Sequence, residues 1–434
     1  MSGKLKKNVS TLEAMAIVVG IIIGSGVFLK PGTVLSDAGT PLLAVVAWVM
    51  GGIITLASAL TIAEIAVAIP KNGGLYTYLK ELYGDTAGFF LGWVQTVISY
   101  PASGAAQSIA FATYVNFFFP LTEMQHRLVA IGVLSFLLCM NVISTKCGGV
   151  IQVVATVGKL VPIVAIILFG FANSSEFHMV TNDAVIGGGR FGVAILGTLW
   201  AYEGWIGITN MSEELKKPKD LPKVISFGVL FVVVVYSVFN IAIFQTLPME
   251  QIVSSTAPAS DAAVALFGKK GAMFISAGIL VSVFGALNGF LMTGARIPFT
   301  MGQEKMFPFA ETISGIHPKF QTPVVALILE GVLAVIYILS GSFNALTDLL
   351  IFVLWIFFTM GVVGIFILRK KHKPEENAYK VPLYPIVPII GALGGIYILG
   401  STLISDPKQS LLGLGITLLG LPVYMVVLKK KRIR

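Results

Sequence analysis

The sequence contains few charged residues for its length. Only 12% of its 434 residues are Asp, Glu, Lys or Arg, whereas 56% are hydrophobic. A soluble protein of this size carries about 25% charged residues. The composition therefore excludes a soluble protein and indicates a protein that crosses the membrane many times.

Residues that build disulfide frameworks and metal sites are also scarce. Cys139 and Cys147 lie in or beside apolar segments, without the spacing of a disulfide framework or a metal site. The four histidines all fall in predicted loops, and we find no nucleophilic triad, phosphate-binding loop or nucleotide motif. We therefore expect no metal and no cofactor, and neither a membrane enzyme nor a primary pump.

Long apolar segments fill most of the chain. A helix that crosses the hydrocarbon core needs about 20 apolar residues, and the chain offers twelve candidates with polar connections between them. They cover 11–37, 41–67, 87–117, 126–144, 149–172, 191–213, 222–246, 271–301, 322–340, 344–368, 383–404 and 409–428. The sequence thus predicts an all-α membrane protein with twelve transmembrane helices in a single transporter domain, 1–434.

The positions of Lys and Arg predict the orientation of these segments. Most of the 30 basic residues lie at the two termini and in every second loop. Because cytoplasmic loops carry such an excess, both termini are predicted to be cytoplasmic, in a multi-pass protein of the cell membrane. The net charge of +9 has the same explanation, and we expect no nucleic-acid partner. The apolar run that follows the basic N-terminus is too long for a signal peptide and is predicted to be retained.

Two of the apolar segments are interrupted in the middle. Gly24, Ser25 and Gly26 break the first segment, and Glu203-Gly204 breaks the sixth, "GTLWAYEGWIGITN". Irregular backbone at this depth must face protein or a water-filled cavity. Paired breaks in corresponding positions indicate the binding site of a transporter built from inverted repeats.

A broken helix offers two kinds of backbone group to a ligand. The second half begins with free N–H groups at the positive end of the helix dipole, which attract a carboxylate. The first half ends in free carbonyl groups, which attract an ammonium group. A site with both suits a zwitterionic α-amino acid. The alternative is that these glycines only allow close helix packing.

Several motifs resemble those of one transporter superfamily. They are "GIIIGSGVFLKPG", "AEIAVAIPKNGGLYTYLKELYG", "AYEGW", "SEELKKPKDLPK" and "SVFGALNGFLMTGARIPFTMGQEKMFP". Together they resemble the amino acid–polyamine–organocation superfamily, and within it the L-amino-acid-transporter family, especially bacterial serine/threonine and alanine–serine–cysteine exchangers. The resemblance implies a LeuT-like fold with discontinuous helices 1 and 6. Its inverted repeats are 11–172 (helices 1–5) and 191–368 (helices 6–10), with helices 11 and 12 in 383–428.

The resemblance also implies roles for residues of the first break. Ile22, Gly24, Ser25 and Gly26 match the substrate motif of the family's first helix. We assign the substrate carboxylate to Ser25, Gly26 and the nearby N–H groups, and the ammonium group to the carbonyl of Ile22.

The second break departs from the commonest family pattern. Trp200 stands where many relatives carry a Phe that covers the substrate, so it is either an aromatic lid or a core aromatic. Ala201 and Gly204 complete the predicted substrate site. Glu203, where several relatives have Gly, could hold a cationic side chain, pair with Lys159, orient the unwound backbone or lie solvated at the cavity edge. An intramembrane carboxylate is a functional-site hypothesis by default.

Lys159 is interpreted as the only lysine well inside a segment. The resemblance places it where sodium-coupled relatives bind an ion, so a fixed positive charge could replace that ion. If it titrates, it could instead couple proton movement. Tyr236 is expected to hydrogen-bond toward Lys159 or the substrate, or to form an interhelical bond without function.

The predicted function is sodium-independent exchange of small neutral L-amino acids (Ala, Ser, Thr, Cys and Gly) by alternating access. The alternatives are a proton-coupled symporter and an exchanger that accepts cationic amino acids through Glu203. Animal relatives join a single-span glycoprotein through a Cys after the third helix. The corresponding loop, "NFFFPLTEMQHR", has no Cys, so we expect no covalent heavy subunit and a monomer.

Overall fold

The computed structural model describes residues 11–69, 73–143, 158–173, 189–207, 209, 220–371 and 378–432. These residues form helices and short connections, with no β-strand among them. In chain order the α-helices are α1 Thr11–Ile22, α2 Gly26–Ala38, α3 Pro41–Ala68, α4 Gly74–Tyr83, α5 Asp85–Val94, α6 Tyr100–Phe118, α7 Glu123–Ile143, α8 Leu160–Asn173, α9 Phe191–Ala201, α10 Leu221–Thr246, α11 Met249–Ser254, α12 Pro258–Gly294, α13 Arg296–Gln303, α14 Ala310–Ile313, α15 Val324–Ser340, α16 Phe343–Lys371, α17 Ile386–Ser405, α18 Pro407–Leu418 and α19 Gly420–Arg432. A π-helical turn, Gln95–Ser99, continues α5 into α6.

Helix covers each of the twelve predicted segments, wholly or in part. The start of segment 149–172 and the end of segment 191–213 lie outside the described residues. By length and composition, 7 of the described helices are long and apolar enough to cross a membrane. The prediction of an all-helical membrane protein is therefore confirmed.

Local sequence signals set several helix boundaries. Thr40 accepts a hydrogen bond from the Leu43 amide at 3.2 Å, and Pro41 occupies the first turn of α3. Both are favoured at a helix N-terminus. Gly39, with φ of 86°, ends α2 in the left-handed conformation. The connection between α2 and α3 is therefore short, which holds the second half of the broken helix against α3.

The helices that carry the predicted site pack in the centre of the molecule. α1 packs on α10, α2 packs on α9, and α6 packs on α12. Small residues allow these helices to approach closely, as is usual in membrane proteins. A Cβ on Gly51 of α3, for example, would meet the side chain of Thr198 of α9.

Two charged clusters join helices at positions far apart in sequence. The guanidinium of Arg369 donates two hydrogen bonds of 2.8 Å to the carboxylate of Glu64, which also accepts one from the Val381 amide. Lys80 and Tyr76 of α4 both donate to Glu304. Burial and the hydrogen bond to Glu304 raise the pKa of Tyr76 well above its usual range. Bidentate, charge-assisted bonds of the Arg369 type are strong and directional, so they fix α3 against α16.

Candidate substrate site

The first predicted break is present in the structure. α1 ends at Ile22 and α2 begins at Gly26. The carbonyl of Ser25 accepts hydrogen bonds from the amides of Phe28 and Leu29, as expected at a helix N-terminus. The amides of Ser25 and Gly26 find no backbone acceptor among the described residues. They are the free donors at the positive end of α2 to which the sequence assigns a carboxylate.

The second predicted break follows α9. That helix ends at Ala201, and the next three residues form a turn, which is closed by a 3.1 Å bond from the Glu203 amide to the Trp200 carbonyl. Gly204 has φ of 111°, a conformation that side chains with a Cβ rarely adopt. The helical direction is lost at Glu203-Gly204, where the sequence predicts it.

The two breaks are in direct contact. A Cβ on Gly26 would lie 2.5 Å from the Cα of Ala201 and 3.0 Å from its amide nitrogen. A Cβ on Gly204 would lie 2.5 Å from Cγ2 of Ile21. The structure thus brings together the predicted site residues of the first and sixth segments. Gly26 is required because the backbone of Ala201 stands where its side chain would be, and Gly204 because its positive φ disfavours a Cβ.

Tyr236 of α10 connects the two breaks. Its hydroxyl lies 3.1 Å from the carbonyl oxygens of both Ile22 and Ala201, and the residue is fully buried. The Gly24 backbone also hydrogen-bonds to this hydroxyl. The described hydrogen bonds of Tyr236 include none to Lys159, because the hydroxyl is directed at the backbone of the predicted substrate site. Binding to the substrate and an interhelical bond without function both stay predictions.

Lys159 occupies the carbonyl end of the first break. Its ammonium donates to the carbonyls of Gly20 and, at 2.9 Å, Ile23, and the side chain has no exposed surface. The predicted pairing with Glu203 is wrong, since the described ion pairs include none between them. The Gly204 backbone instead donates to Glu203. That bond agrees with the interpretation in which Glu203 orients the unwound backbone.

Trp200 forms part of an aromatic layer over the breaks. Its ring stacks on Phe290 of α12, with centroids 6.1 Å apart, and meets Phe343 of α16 edge to face. Trp200 is buried, and its indole Nε1 has no hydrogen-bond partner among the described residues. This packing is that of a core aromatic, and the role of Trp200 as a lid over the substrate stays a prediction.

A buried ion pair, which the sequence analysis missed, lies beside this layer. Lys30 of α2 is fully buried and donates at 2.8 Å to Asp348 of α16, with its ammonium 5.7 Å from the Phe343 ring. Lys159 is therefore not the only lysine well inside a segment. The sequence signal for this ion pair was the position of Lys30 inside the apolar segment 11–37. Asp348, Phe343 and Arg190 line a cavity of about 720 Å³. Arg190 also forms an ion pair with Asp37 at 3.3 Å.

The chain is similar in sequence to known amino acid transporters. A model of the amino acid permease family matches residues 9–428. The serine/threonine exchanger SteT of Bacillus subtilis (strain 168) is 43% identical over 429 residues, which cover 98% of each chain. The mouse (Mus musculus) Asc-type amino acid transporter 1 is 32% identical, over 97% of this chain and 81% of its own. The human (Homo sapiens) cystine/glutamate transporter is 30% identical, over 97% and 85%. The chain thus belongs to the amino acid permease family of the amino acid–polyamine–organocation superfamily, and is related to its L-amino-acid transporters.

Proposed function

We propose that the protein is a sodium-independent exchanger of small neutral L-amino acids, Ala, Ser, Thr, Cys and Gly, that works by alternating access. The observation that carries the proposal is the contact between the two breaks, with free amides at the start of α2 and carbonyl groups at the ends of α1 and α9. The name of the bacterial relative, a serine/threonine exchanger, supports it.

The two ends of the substrate bind to different backbone groups in this proposal. The carboxylate is held by the amides of Ser25 and Gly26, where the dipole of α2 favours negative charge. The ammonium group donates to the carbonyls of Ile22 and Ala201, which keep a free lone pair beside the bond from Tyr236. Gly24, Glu203 and Gly204 shape the backbone around these groups. Trp200 covers the substrate, and its large ring limits the side chain beneath it.

Lys159 supports sodium independence. An ammonium group that already bonds the carbonyls of Gly20 and Ile23 occupies oxygens that would otherwise suit a cation. Its charge also balances the negative end of the α1 dipole. No sodium ion is then required to assemble the first break.

The proposed architecture is that of twelve crossings with both termini in the cytoplasm. Residues 11–172 and 191–368 form the five-plus-five inverted repeat, and 383–428 forms helices 11 and 12. The protein acts as a monomer in the cell membrane, without a covalent heavy subunit.

Uptake of labelled serine into proteoliposomes tests the function. Vesicles preloaded with alanine should take up serine, whereas empty vesicles should take up little, and replacing sodium by choline outside should change neither rate. Equal uptake into empty and preloaded vesicles would contradict obligatory exchange. A strong dependence on sodium would contradict the role of Lys159.

A second candidate is a proton-coupled symporter in which Lys159 titrates. Its ammonium bonds only carbonyl oxygens among the described groups, so no carboxylate fixes its charge. An inward proton gradient should then drive serine accumulation in empty vesicles, and Lys159→Ala should abolish the effect. The carboxylate of Glu203 would pair with the side chain of a cationic substrate, and inhibition of serine uptake by arginine would reveal such binding.

A further inference from the structure

We infer that Gln107 selects substrates with a side-chain hydroxyl, serine and threonine, over apolar amino acids of the same size. The inference deepens the proposed function and rests on it. Gln107 lies in the middle of α6 and contacts the first break from the side. Its Nε2 atom is 3.1 Å from the place that a Cβ on Gly24 would occupy, and Ala286 of α12 closes the same place at 3.4 Å.

The side-chain amide of Gln107 is buried but incompletely bonded. The residue is 2% exposed, and its Oε1 atom has no hydrogen-bond partner among the described residues. A buried acceptor without a donor is costly, and such groups in native proteins call for an explanation, such as a functional role or a bound water or ion.

A second polar atom on the same face of α6 is in the same condition. Ser103 lies one turn before Gln107, is 1% exposed, and its Oγ atom also lacks a partner. Residues four apart lie on one face of a helix. Ser108, on another face, instead returns its hydroxyl to the Gly104 carbonyl at 2.7 Å. These two free polar atoms of α6 thus lie on the face that carries Gln107 toward the break.

The place of Gln107 relative to the substrate follows from the proposed contacts. Gly24 lies between Ile22, proposed to bind the ammonium group, and Ser25, proposed to bind the carboxylate. An amide against Gly24 is therefore near the first atoms of the substrate's side chain. A serine or threonine hydroxyl donates a proton to Oε1, whereas a methyl group leaves that acceptor unpaired. Sites built to bond a hydroxyl discriminate strongly against analogues that lack it.

The test compares two substrates and two proteins. L-2-aminobutyrate replaces the hydroxyl of serine by a methyl group of similar size, and Gln107→Met replaces the amide by an apolar chain of similar length. Exchange rates are measured for serine, 2-aminobutyrate and alanine in preloaded proteoliposomes. We expect kcat/KM of the wild type to be about tenfold higher for serine than for 2-aminobutyrate, the effect of one buried hydrogen bond. In Q107M the ratio of serine to 2-aminobutyrate should fall to about one, because the substitution removes only the interaction between the amide and the substrate hydroxyl.

Gln245→Met is the matched control. Gln245 of α10 is likewise buried, with an Oε1 atom that lacks a partner, but it is near the end of its helix. Its replacement should leave the ratio of serine to 2-aminobutyrate unchanged.

Three results would overturn the inference while leaving the proposed function intact. The first is a wild type that exchanges alanine but does not prefer serine over 2-aminobutyrate. The second is a ratio of serine to 2-aminobutyrate exchange that is unchanged in Q107M. The third is an equal loss of exchange for all three substrates in Q107M, which would place the amide on the ammonium group. If Q107M does not fold, the ratio in the wild type still decides. A wild type that exchanges no amino acid would instead refute the proposed function.

Discussion

The two helix breaks lie in contact, but different interactions stabilise them. The carbonyls of the first break are bonded by side chains from distant segments, Lys159 and Tyr236. The second break is closed mainly by its own backbone, through bonds from Tyr202 to Thr198 and from Glu203 to Trp200. The first break thus depends on residues more than 130 positions away in the chain, whereas the second is a local turn. Substitutions should separate the two.

The contact between the breaks should be the most sensitive point. In Gly26→Ala the new Cβ would meet backbone atoms of Ala201 at 2.5 and 3.0 Å, which cannot move aside as a side chain could. We expect serine exchange to fall at least about a hundredfold, since such overpacking costs about 1–3 kcal/mol or more and distorts the amides that bind the carboxylate. Exchange in proteoliposomes measures it. Gly207→Ala is the control, because its Cβ would lie 3.6 Å from Ile21, and a similar loss there would contradict the account.

Removal of the Lys159 ammonium should have the next largest effect. Lys159→Met keeps the length of the side chain but leaves the carbonyls of Gly20 and Ile23 unpaired. Bonds to a charged donor are worth about 1.5–3 kcal/mol each, so exchange should fall about tenfold or more and the midpoint of thermal unfolding in detergent should drop. Exchange at the wild-type rate in Lys159→Met would show that the first break does not need the Lys159 ammonium.

Loss of the Tyr236 hydroxyl should have a milder effect on exchange. Tyr236→Phe removes the group that lies 3.1 Å from both Ile22 and Ala201, at a cost of about 0.5–1.5 kcal/mol. We expect kcat/KM for serine to fall about threefold to tenfold. Tyr202→Phe provides the comparison, since that hydroxyl bonds the Trp48 carbonyl of α3 instead. Its loss should lower stability with less effect on exchange. A larger loss of exchange in Tyr202→Phe than in Tyr236→Phe would contradict the bridging role of Tyr236.

Neutralisation of the second break should have the smallest effect on neutral substrates. In Glu203→Gln the backbone bonds that close the turn remain, so alanine exchange should stay within about twofold of the wild type, as expected for a polar group that keeps its hydrogen bond. Any inhibition by arginine should disappear. A large loss of alanine exchange would mean that the carboxylate itself holds the ammonium group of every substrate.

The sequence predicted those features that depend on local backbone chemistry. Gly24-Ser25-Gly26 and Glu203-Gly204 located the breaks, because glycine leaves a helix at little cost and membrane helices rarely tolerate interruption. The depth of Lys159 in its segment indicated a buried charge that needs a partner.

Features that depend on tertiary contacts were missed or wrong. The partner of Lys30 is Asp348, 318 positions away, and no local signal joins them. A pairing of Lys159 with Glu203 is one alternative that the sequence leaves open, but the ammonium group donates to the backbone carbonyls of Gly20 and Ile23 instead. Glu330 of α15 is buried against Gly294, with both carboxyl oxygens lacking a partner among the described residues. An acid within an apolar segment is unusual, but the sequence does not assign its surroundings.

In the proposed function, the two breaks together bind the two charged ends of an α-amino acid. Competition against labelled serine in preloaded proteoliposomes tests it most directly, with serine, serine methyl ester and N-acetylserine as competitors. The ester lacks the carboxylate that the amides of Ser25 and Gly26 are proposed to bind. The acetyl compound lacks the ammonium group that is proposed for the carbonyls of Ile22 and Ala201. We expect unlabelled serine to inhibit the uptake of labelled serine, and neither derivative to inhibit it at the same concentration. Inhibition by either derivative equal to that by serine would contradict it.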